Sequence, residues 1–270
     1  MTALDDIRLK LNRAESHLNN LSSEIQENVS KYPASIRAQH NIIDNSYTAI
    51  LENAPGVQRE WGAILGDFLH NTRSALDYLV GALVTASGGT VHDQHQFPIC
   101  DAATDWQKQV VQPKPSRSRL GFIDPSHAAI IESIQPYQAV TGLKSLLTLR
   151  RFSNADKHRL IHGAVINTTK KPVISGLLIA PLIIREVVYM QPNVPLEDGA
   201  HLARYKTQGL VQANQLAGEL NFPGSDFQMH VRLNLTTVFG EPGKEDTRVK
   251  DFRACLKDAR DFVDRFETVL

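Results

Sequence analysis

The stretch GDFLHNTRSALDYL, residues 66–79, decides the fold because its apolar residues recur at intervals of three and four. The same spacing extends over 57–86 and predicts one long amphipathic helix that ends at a pair of glycines. The polar side of this helix carries His70, Arg73 and Asp77. Its apolar side, which should face a core, consists of Leu65, Phe68, Leu69, Leu76, Leu79 and Leu83.

Helical patterns also occur on both sides of this segment. Near the N-terminus, apolar residues form a narrow stripe at the same spacing. Asp124 followed by Pro125 has the residue types of a helix N-cap and first helical position. Further helices are therefore predicted over 4–30, 125–135, 143–163 and 246–270.

The pattern changes after Gly163. Residues 164–240 are rich in Val, Ile and Thr and are punctuated by Pro and Gly, which predicts several antiparallel strands. A β-hairpin is predicted at 35–53, where an Asp-Asn-Ser turn separates two runs with β-branched residues. Individual strands are expected near 164–168, 173–179, 182–190, 208–213 and 227–238.

Together these elements predict an α+β protein. A helical bundle covers 1–163 and includes the hairpin, and an antiparallel β layer at 164–240 is inserted after it. The C-terminal helix at 246–270 is expected to pack back on the bundle, so that the chain forms one continuous unit.

Composition limits the function classes. The chain has 270 residues and a formal net charge of zero, with 29 basic and 29 acidic residues. This balance does not favour global attraction to nucleic acid or to an anionic membrane, although a local basic cluster can still contact phosphate. The N-terminus lacks the apolar core of a signal peptide, and the most apolar later run, 173–184, is too short to span a bilayer. We therefore expect a cytoplasmic protein with no membrane partner.

The sequence contains few of the residue patterns that bind metals or cofactors. Cys100 and Cys255 have no metal-ligand spacing and are expected to be free thiols. His92 and His95 have an H-x-x-H spacing, which on its own is more typical of surface polarity than of a metal site. No phosphate-binding loop, H-E-x-x-H helix or paired-carboxylate signature is present in the sequence. The expectation is that the protein uses neither a metal nor a cofactor.

The densest group of polar residues is RRFSNADKHRLIH at 150–162, in which six of thirteen residues are Arg, Lys or His. If this stretch is helical, four of its polar residues, spaced by three, four and four, lie on one side of the helix. Apolar residues flank that side, so part of the polar set is expected to be buried or to line a groove. The four residues on this side are Arg151, Asn154, His158 and His162, and Lys157 and Arg159 lie beside them.

Two interpretations of this helix remain open. In the first, the residues form a functional groove, and Asp77 or Asp67 from the 57–86 helix holds Arg151 or His158. A carboxylate that binds a histidine raises its pKa and fixes its tautomer, which is one way to build a general base. In the second, the same side chains form salt bridges that only hold the helices together.

These residues carry a resemblance to a known family. GDFLHNTRSALDYL, followed by QFPI at 96–99, QPY at 135–137 and SNADKHR at 153–159, resembles a family of bacterial proteins of unknown activity. Members of that family carry a G-D-x-L-H-N-x-R-S-A-L-D-[HY]-L helix and a later N-x-D-K-H-R helix. The resemblance covers most of the helical half and implies no particular activity.

The chain also resembles the HEPN superfamily of small helical bundles, many of which are metal-independent ribonucleases. Their signature is an Arg, four to six residues and a His on one helix, and Arg151 and His158 have six residues between them. Phe152 departs from the polar residue that usually follows the Arg. The resemblance implies a four-helix core, an RNA substrate and a homodimer that completes the site.

The roles implied by this resemblance are specific. His158 acts as general acid or base, Arg151 stabilises the charged phosphorane, and Asn154, His70 and Arg73 support them. The alternative is a non-enzymatic protein that binds a ligand or another protein and whose Arg, His and Asp residues form a structural polar network.

Overall fold

The structure is a computed structural model in which helices and strands are both extensive, so the predicted α+β class is confirmed. No helix in the described part of the chain combines the length and the apolar character needed to cross a membrane. The described part comprises residues 2–31, 35–44, 46–158, 164–168, 173–177, 183–189, 197–208, 228–232, 235–239 and 247–270.

The helices begin and end close to where the apolar spacing predicts. Asp124 caps the fourth helix as expected, because its carboxylate accepts a hydrogen bond from the backbone N–H of Ser126 at 2.8 Å. Short π and 3-10 turns occupy Gln107–Val111, Pro115–Arg117 and Asp264–Phe266. The helices are α1 (Ala3–Lys31), α2 (Glu60–Ala86), α3 (Ala103–Trp106), α4 (Pro125–Ser133), α5 (Ser145–His158) and α6 (Val249–Val263).

The chain divides into two compact units, and the first is the helical one. It comprises Met1–Glu24, Gln58–Gly163 and Phe239–Leu270. Its core forms where α2, α5 and α6 pack against one another. The apolar side predicted for α2 is fully buried there, since each of its six residues is at most 1% exposed: Leu65, Phe68, Leu69, Leu76, Leu79 and Leu83.

Phe252 of α6 lies at the centre of this core. Its ring makes edge-to-face contacts with Phe68 of α2 and Phe152 of α5, at centroid distances of 5.8 Å and 5.1 Å. A third edge contact, at 5.9 Å, is with Phe239. One side chain therefore joins all three core helices, which fixes the position of α5 relative to α2 and α6.

The second unit, Ile25–Val57 with Ala164–Val238, contains most of the strand residues, whereas the short strand before α6 belongs to the first unit. The largest sheet of the second unit has four strands in the order β1-β2-β6-β5, and every neighbouring pair in it is antiparallel. The predicted hairpin is the β1–β2 pair of this sheet. The strands are β1 (Ser35–Asn41), β2 (Ser46–Glu52), β3 (Ala164–Thr168), β4 (Val173–Leu177), β5 (Ile183–Tyr189), β6 (His201–Gln208), β7 (Gln228–Arg232) and β8 (Leu235–Phe239), and a short β9 (Thr247–Arg248) precedes α6.

Three details differ from the predicted layout. The hairpin groups with the strands instead of the helical bundle, because β2 pairs with β6 along its length. A strand at β6 was not predicted, and residues 209–213 of the strand expected near 208–213 are outside the described residues. The single strand expected over 227–238 is two strands, since β7 pairs with β4 whereas β8 neighbours β3. Alternation of residue types fixes which face a strand presents but not which strand it pairs with.

Candidate functional site

The candidate site is built on α5, whose other side is anchored in the core. Leu146, Leu149 and Phe152 are at most 2% exposed, as the spacing predicts. Because these residues fix the rotation of the helix, the positions of Arg151 and Asn154 lie on its outer side, where both side chains are exposed. Core packing therefore presents the two candidate polar residues to solvent.

Arg151 makes few interactions for an arginine. Its Nη2 donates to the hydroxyl oxygen of Thr247, and its guanidinium carbon lies 4.8 Å from the ring centroid of Phe152. Among the described residues, no carboxylate lies within ion-pair distance of it. Within the part of the chain that the structure describes, its charge is therefore not neutralised by a carboxylate.

The neighbouring Arg150 differs sharply. Its Nη1 donates to the carboxylate of Asp101 at 2.6 Å and to the carbonyl oxygen of Ile99 at 3.3 Å. These contacts tie α5 to the segment that precedes α3. Arg150 thus has a carboxylate partner, whereas Arg151 has none among the residues that the structure describes.

A cleft of about 470 Å³ lies beside Arg151, between α5 and the start of α6. Its charges are mixed, with Lys144 and Arg151 on one side and Asp251 on the other. Asp251 accepts a hydrogen bond from the backbone N–H of Arg248 at 2.8 Å, and Lys144 donates to the carbonyl oxygen of Pro136. The hydroxyl groups that line the cleft belong to Ser145, Thr148 and Thr247. This lining suits a polar ligand with an anionic group near Arg151.

The remaining predicted site residues of this region are only partly described. The helical positions 151 and 158 are seven residues apart, which is almost two turns, so they share one side of α5 at about 10 Å along its axis. The side chains of Lys157 and His158 lie outside the described part of the chain. Arg159 and His162 lie outside the described residues altogether.

The polar residues of α2 do not join this site in the way the sequence suggested. Arg73 Nη2 lies 3.3 Å from Asp77 Oδ1 and also donates to the carbonyl oxygen of Phe97. Asp77 accepts from the backbone N–H of Phe97 at 2.8 Å. Asp77 therefore pairs with Arg73, one turn away on its own helix, and not with Arg151. The alternative pairing of Asp77 or Asp67 with His158 involves a side chain outside the described part of the chain.

The side chain of Arg73 is largely buried. The side chain is 14% exposed, and burial lowers the pKa of its guanidinium from its ordinary value while the carboxylate of Asp77 opposes that shift. His70 lies on the exposed side of α2, with Nε2 3.5 Å from the hydroxyl oxygen of Ser74. Of the α2 residues predicted to support a site, Arg73 and Asp77 are thus committed to one another, and His70 faces solvent.

The sequence reasoning missed two features. His95, expected at the surface, is only 5% exposed; its Nδ1 accepts the backbone N–H of His92, and burial lowers its pKa. The second is a groove between α1 and α2 that includes Lys10, Arg13 and His17. Their spacing of three and four along α1 was a signal that could have indicated this groove.

The described residues contain no group of three or more His, Cys, Asp or Glu side chains arranged to hold a metal ion. Cys100 and Cys255 are both buried free thiols. Comparisons of the chain with protein-family models, with curated proteins and with solved structures found no match.

Proposed function

We propose that the protein is a metal-independent endoribonuclease of a bacterial toxin or defence system, in which Arg151 and His158 act on an RNA phosphodiester. The observation that carries the proposal is the guanidinium of Arg151, which is exposed, lines a cleft and has no carboxylate partner among the described residues. An unpaired cation in a polar cleft binds a phosphate more strongly than one already neutralised by a carboxylate.

The reaction needs one base, one acid and one stabilising cation. His158 in its neutral form takes the proton from the ribose 2′-hydroxyl, whose oxygen attacks phosphorus. The P–O2′ bond forms, the P–O5′ bond breaks, and an imidazolium returns a proton to the 5′ oxygen. Arg151 stabilises the negative charge of the phosphorane, and Asn154, one turn further along α5, hydrogen-bonds a phosphate oxygen. The products are a 2′,3′-cyclic phosphate and a 5′-hydroxyl.

A homodimer belongs to this proposal. Each chain contributes a single His158 position on α5, and acid and base roles at one phosphate are filled when a second copy brings its own α5 alongside. In the same proposal, α1, α2, α5 and α6 form a HEPN-like four-helix core. The resemblance of the Arg-x6-His spacing supports this assignment.

One observation favours a second candidate function, that of a non-enzymatic ligand- or protein-binding protein. The pairs Arg73–Asp77 and Arg150–Asp101 bind backbone groups of the 97–101 segment, so much of the polar set already holds the fold together. In that case Arg151 binds the anionic group of a ligand and performs no chemistry.

Cleavage of a labelled RNA by the purified protein in EDTA tests the proposal. The wild type is expected to yield 2′,3′-cyclic phosphate ends, and Arg151→Ala and His158→Ala are each expected to slow cleavage by about 100-fold or more. Arg59→Ala is the matched control, because Arg59 is an exposed cation outside the cleft. All variants are first compared with the wild type by circular dichroism.

The result that contradicts the proposal is equally definite. RNA left intact by the folded wild type, or cleaved equally fast by folded Arg151→Ala, excludes the nuclease mechanism. Binding of RNA without cleavage, weakened in Arg151→Ala and retained in Arg59→Ala, would move the protein to the second candidate function.

A further inference from the structure

The groove between α1 and α2 is separate from the cleft at Arg151. It has a volume of about 610 Å³, lies within the helical unit, and shares no lining residue with that cleft. Neither the resemblances nor the proposed nuclease assigns it a role. Its lining combines an aromatic ring with both cations and carboxylates.

The wall formed by α1 carries three basic residues along one side. Lys10, Arg13 and His17 follow one another at intervals of three and four and line the groove. Within the described residues, none of them has a hydrogen bond or an ion pair with a carboxylate. Arg8 of the same helix, by contrast, is paired with Asp264 at 2.7 Å. Among the described residues, the basic side chains that face the groove are therefore without a carboxylate partner.

The wall formed by α2 supplies an exposed aromatic ring. Tyr78 is 50% exposed, although most other large apolar side chains of its helix are buried. The ammonium nitrogen of Lys10 lies 5.5 Å from the centroid of its ring. Single-stranded nucleic acids are bound by this pairing of an aromatic ring, on which a base stacks, with cations that contact phosphate.

The order of residues along the two helices places the aromatic ring at one end of the groove and Arg13 nearer the other. Tyr78 and Asp6 together line both this groove and a second cleft, so the two side chains are near one another. Tyr78 is also near Lys10. Arg13 is seven residues beyond Asp6, which on a helix is about 10 Å along the axis. The aromatic end and its carboxylate are thus separated from Arg13 by roughly the length of one nucleotide.

The two carboxylates of the groove limit what it can hold. Asp6 lies at the aromatic end and Asp67 on the α2 wall, so the groove as a whole is close to neutral. A long polyanion gains little from such a lining, whereas a ligand with one phosphate and a polar ring matches it. Asn71 on the same wall is 8% exposed, and its Nδ2 donates to the carbonyl oxygen of Asp67 at 2.8 Å.

We infer that this groove binds a nucleotide, with the base stacked on Tyr78 and the phosphate held by Arg13 and His17. Asp6 accepts a hydrogen bond from the exocyclic amino group of the base. Adenine, cytosine and guanine have such a group and uracil does not, so the site discriminates against uridine nucleotides. The nucleotide is either free or one unit of a single strand, since both present the same base and phosphate.

The test is isothermal titration of the full-length protein with AMP, CMP, GMP and UMP, and with an eight-nucleotide adenosine RNA. Saturable binding is expected, with UMP weaker than AMP and CMP by about tenfold. Tyr78→Ala and Arg13→Gln should each weaken AMP binding by about tenfold, whereas Tyr78→Phe, which keeps the ring, should bind like the wild type. Arg59→Gln, an exposed cation outside the groove, is the matched charge control.

Two further variants test the charge assignment. Asp67→Asn removes a negative charge from the groove and is expected to tighten AMP binding, whereas Asp6→Ala is expected to reduce the difference between AMP and UMP. Binding of the octamer but of no mononucleotide, measured in Arg151→Ala and lost when Tyr78→Ala is added, identifies a strand as the source of the nucleotide. No binding of any of the five ligands, or equal AMP affinity in folded Tyr78→Ala and wild type, overturns the inference.

The inference does not depend on the nuclease proposal. AMP titrated into Arg151→Ala should bind as it does to the wild type, because Arg151 is not part of the groove. Loss of cleavage with intact AMP binding therefore concerns the cleft alone, and loss of AMP binding in Arg13→Gln with intact cleavage concerns the groove alone.

Discussion

Arg73 and Asp77 lie one turn apart on α2 and together bind both backbone polar groups of a single residue. Arg73 donates to the carbonyl oxygen of Phe97, and Asp77 accepts from its N–H at 2.8 Å. The ring of Phe97 is fully buried and packs edge-to-face against Phe262 at 5.7 Å. An irregular segment without strand partners thus gains two hydrogen bonds to charged groups, which holds it against the helical core.

This arrangement predicts that Asp77→Ala is strongly destabilising. The substitution leaves Arg73, 14% exposed, without its carboxylate and leaves the N–H of Phe97 without an acceptor. Breaking a largely buried ion pair from one side costs about 3 kcal/mol, because the remaining charge stays desolvated. The free energy of unfolding, measured by urea titration with circular dichroism, should fall by about that amount.

Asp67→Ala is the control for this prediction. Asp67 lies on the same helix, is exposed, and its carboxylate has no partner among the described residues. Its removal should change the free energy of unfolding by less than about 0.5 kcal/mol. Equal effects of the two substitutions would show that the Arg73–Asp77 pair does not stabilise the fold.

The adjacent arginines of α5 should separate stability from ligand binding. Arg150→Ala removes an ion pair with Asp101 and a hydrogen bond to Ile99, and is expected to lower the free energy of unfolding by about 1 kcal/mol, since the pair is partly exposed. Arg151→Ala removes one hydrogen bond to Thr247 and should cost less than about 0.5 kcal/mol. Urea unfolding of the two variants side by side measures both values. A larger loss in Arg151→Ala would indicate that Arg151 is structural.

The helices could be predicted because the apolar spacing and the capping residues that determine them lie within each helical segment of the sequence. Of the seven residues that form the predicted apolar stripe of α1, Ile25 is partly exposed and the other six are buried: Leu4, Ile7, Leu11, Ala14, Leu18 and Leu21. The N-cap at Asp124 was equally predictable, since an Asp-Pro pair favours one local geometry. The same rules placed Arg151 on the side of α5 opposite its apolar residues, but they did not predict that its side chain is exposed.

The partners of polar side chains could not be predicted in this way. Asp77 binds the backbone of Phe97, twenty residues away in an irregular segment that no periodicity describes. The hypothesis that Asp77 pairs with Arg151 assumed that the polar sides of α2 and α5 face one another. Instead, the carboxylate of Asp77 binds the N–H of Phe97 and the guanidinium of Arg73 on its own helix. Strand pairing failed for a related reason, because β7 and β8 are consecutive in sequence and bind different partner strands.

The aromatic cluster of the helical unit predicts a large effect of Phe252→Ala. Its ring contacts Phe68, Phe152 and Phe239, and it is fully buried. Loss of the ring leaves a cavity between three helices and should cost about 4 kcal/mol in the free energy of unfolding. Phe252→Leu fills part of the space and should cost less than half as much. A denaturant titration of both variants checks the order, and equal losses would mean that the ring contacts do not matter.

The two buried thiols predict a loss of stability at alkaline pH. Burial raises the pKa of Cys100 to about 11 and that of Cys255 to about 12, from an ordinary value of 9.0. Both thiols stay protonated in the folded protein while the unfolded chain ionises above pH 9. Their contribution is therefore intact below pH 9 and is lost as the pH rises towards 11 and 12.

Urea unfolding at a series of pH values measures this effect. Between pH 9 and 10.5 each thiol should lower the free energy of unfolding by about 1 to 2 kcal/mol, because each unit of pH above the unfolded pKa adds about 1.4 kcal/mol of preference for the unfolded state. Burial also raises the pKa of Tyr205, so the decline should steepen above pH 10. In Cys255→Ala the slope between pH 9 and 10 should fall, since one of the two thiols is gone. A stability that stays constant from pH 8 to 10.5, or an unchanged slope in Cys255→Ala, would show that the thiols ionise equally easily in the folded and unfolded chain.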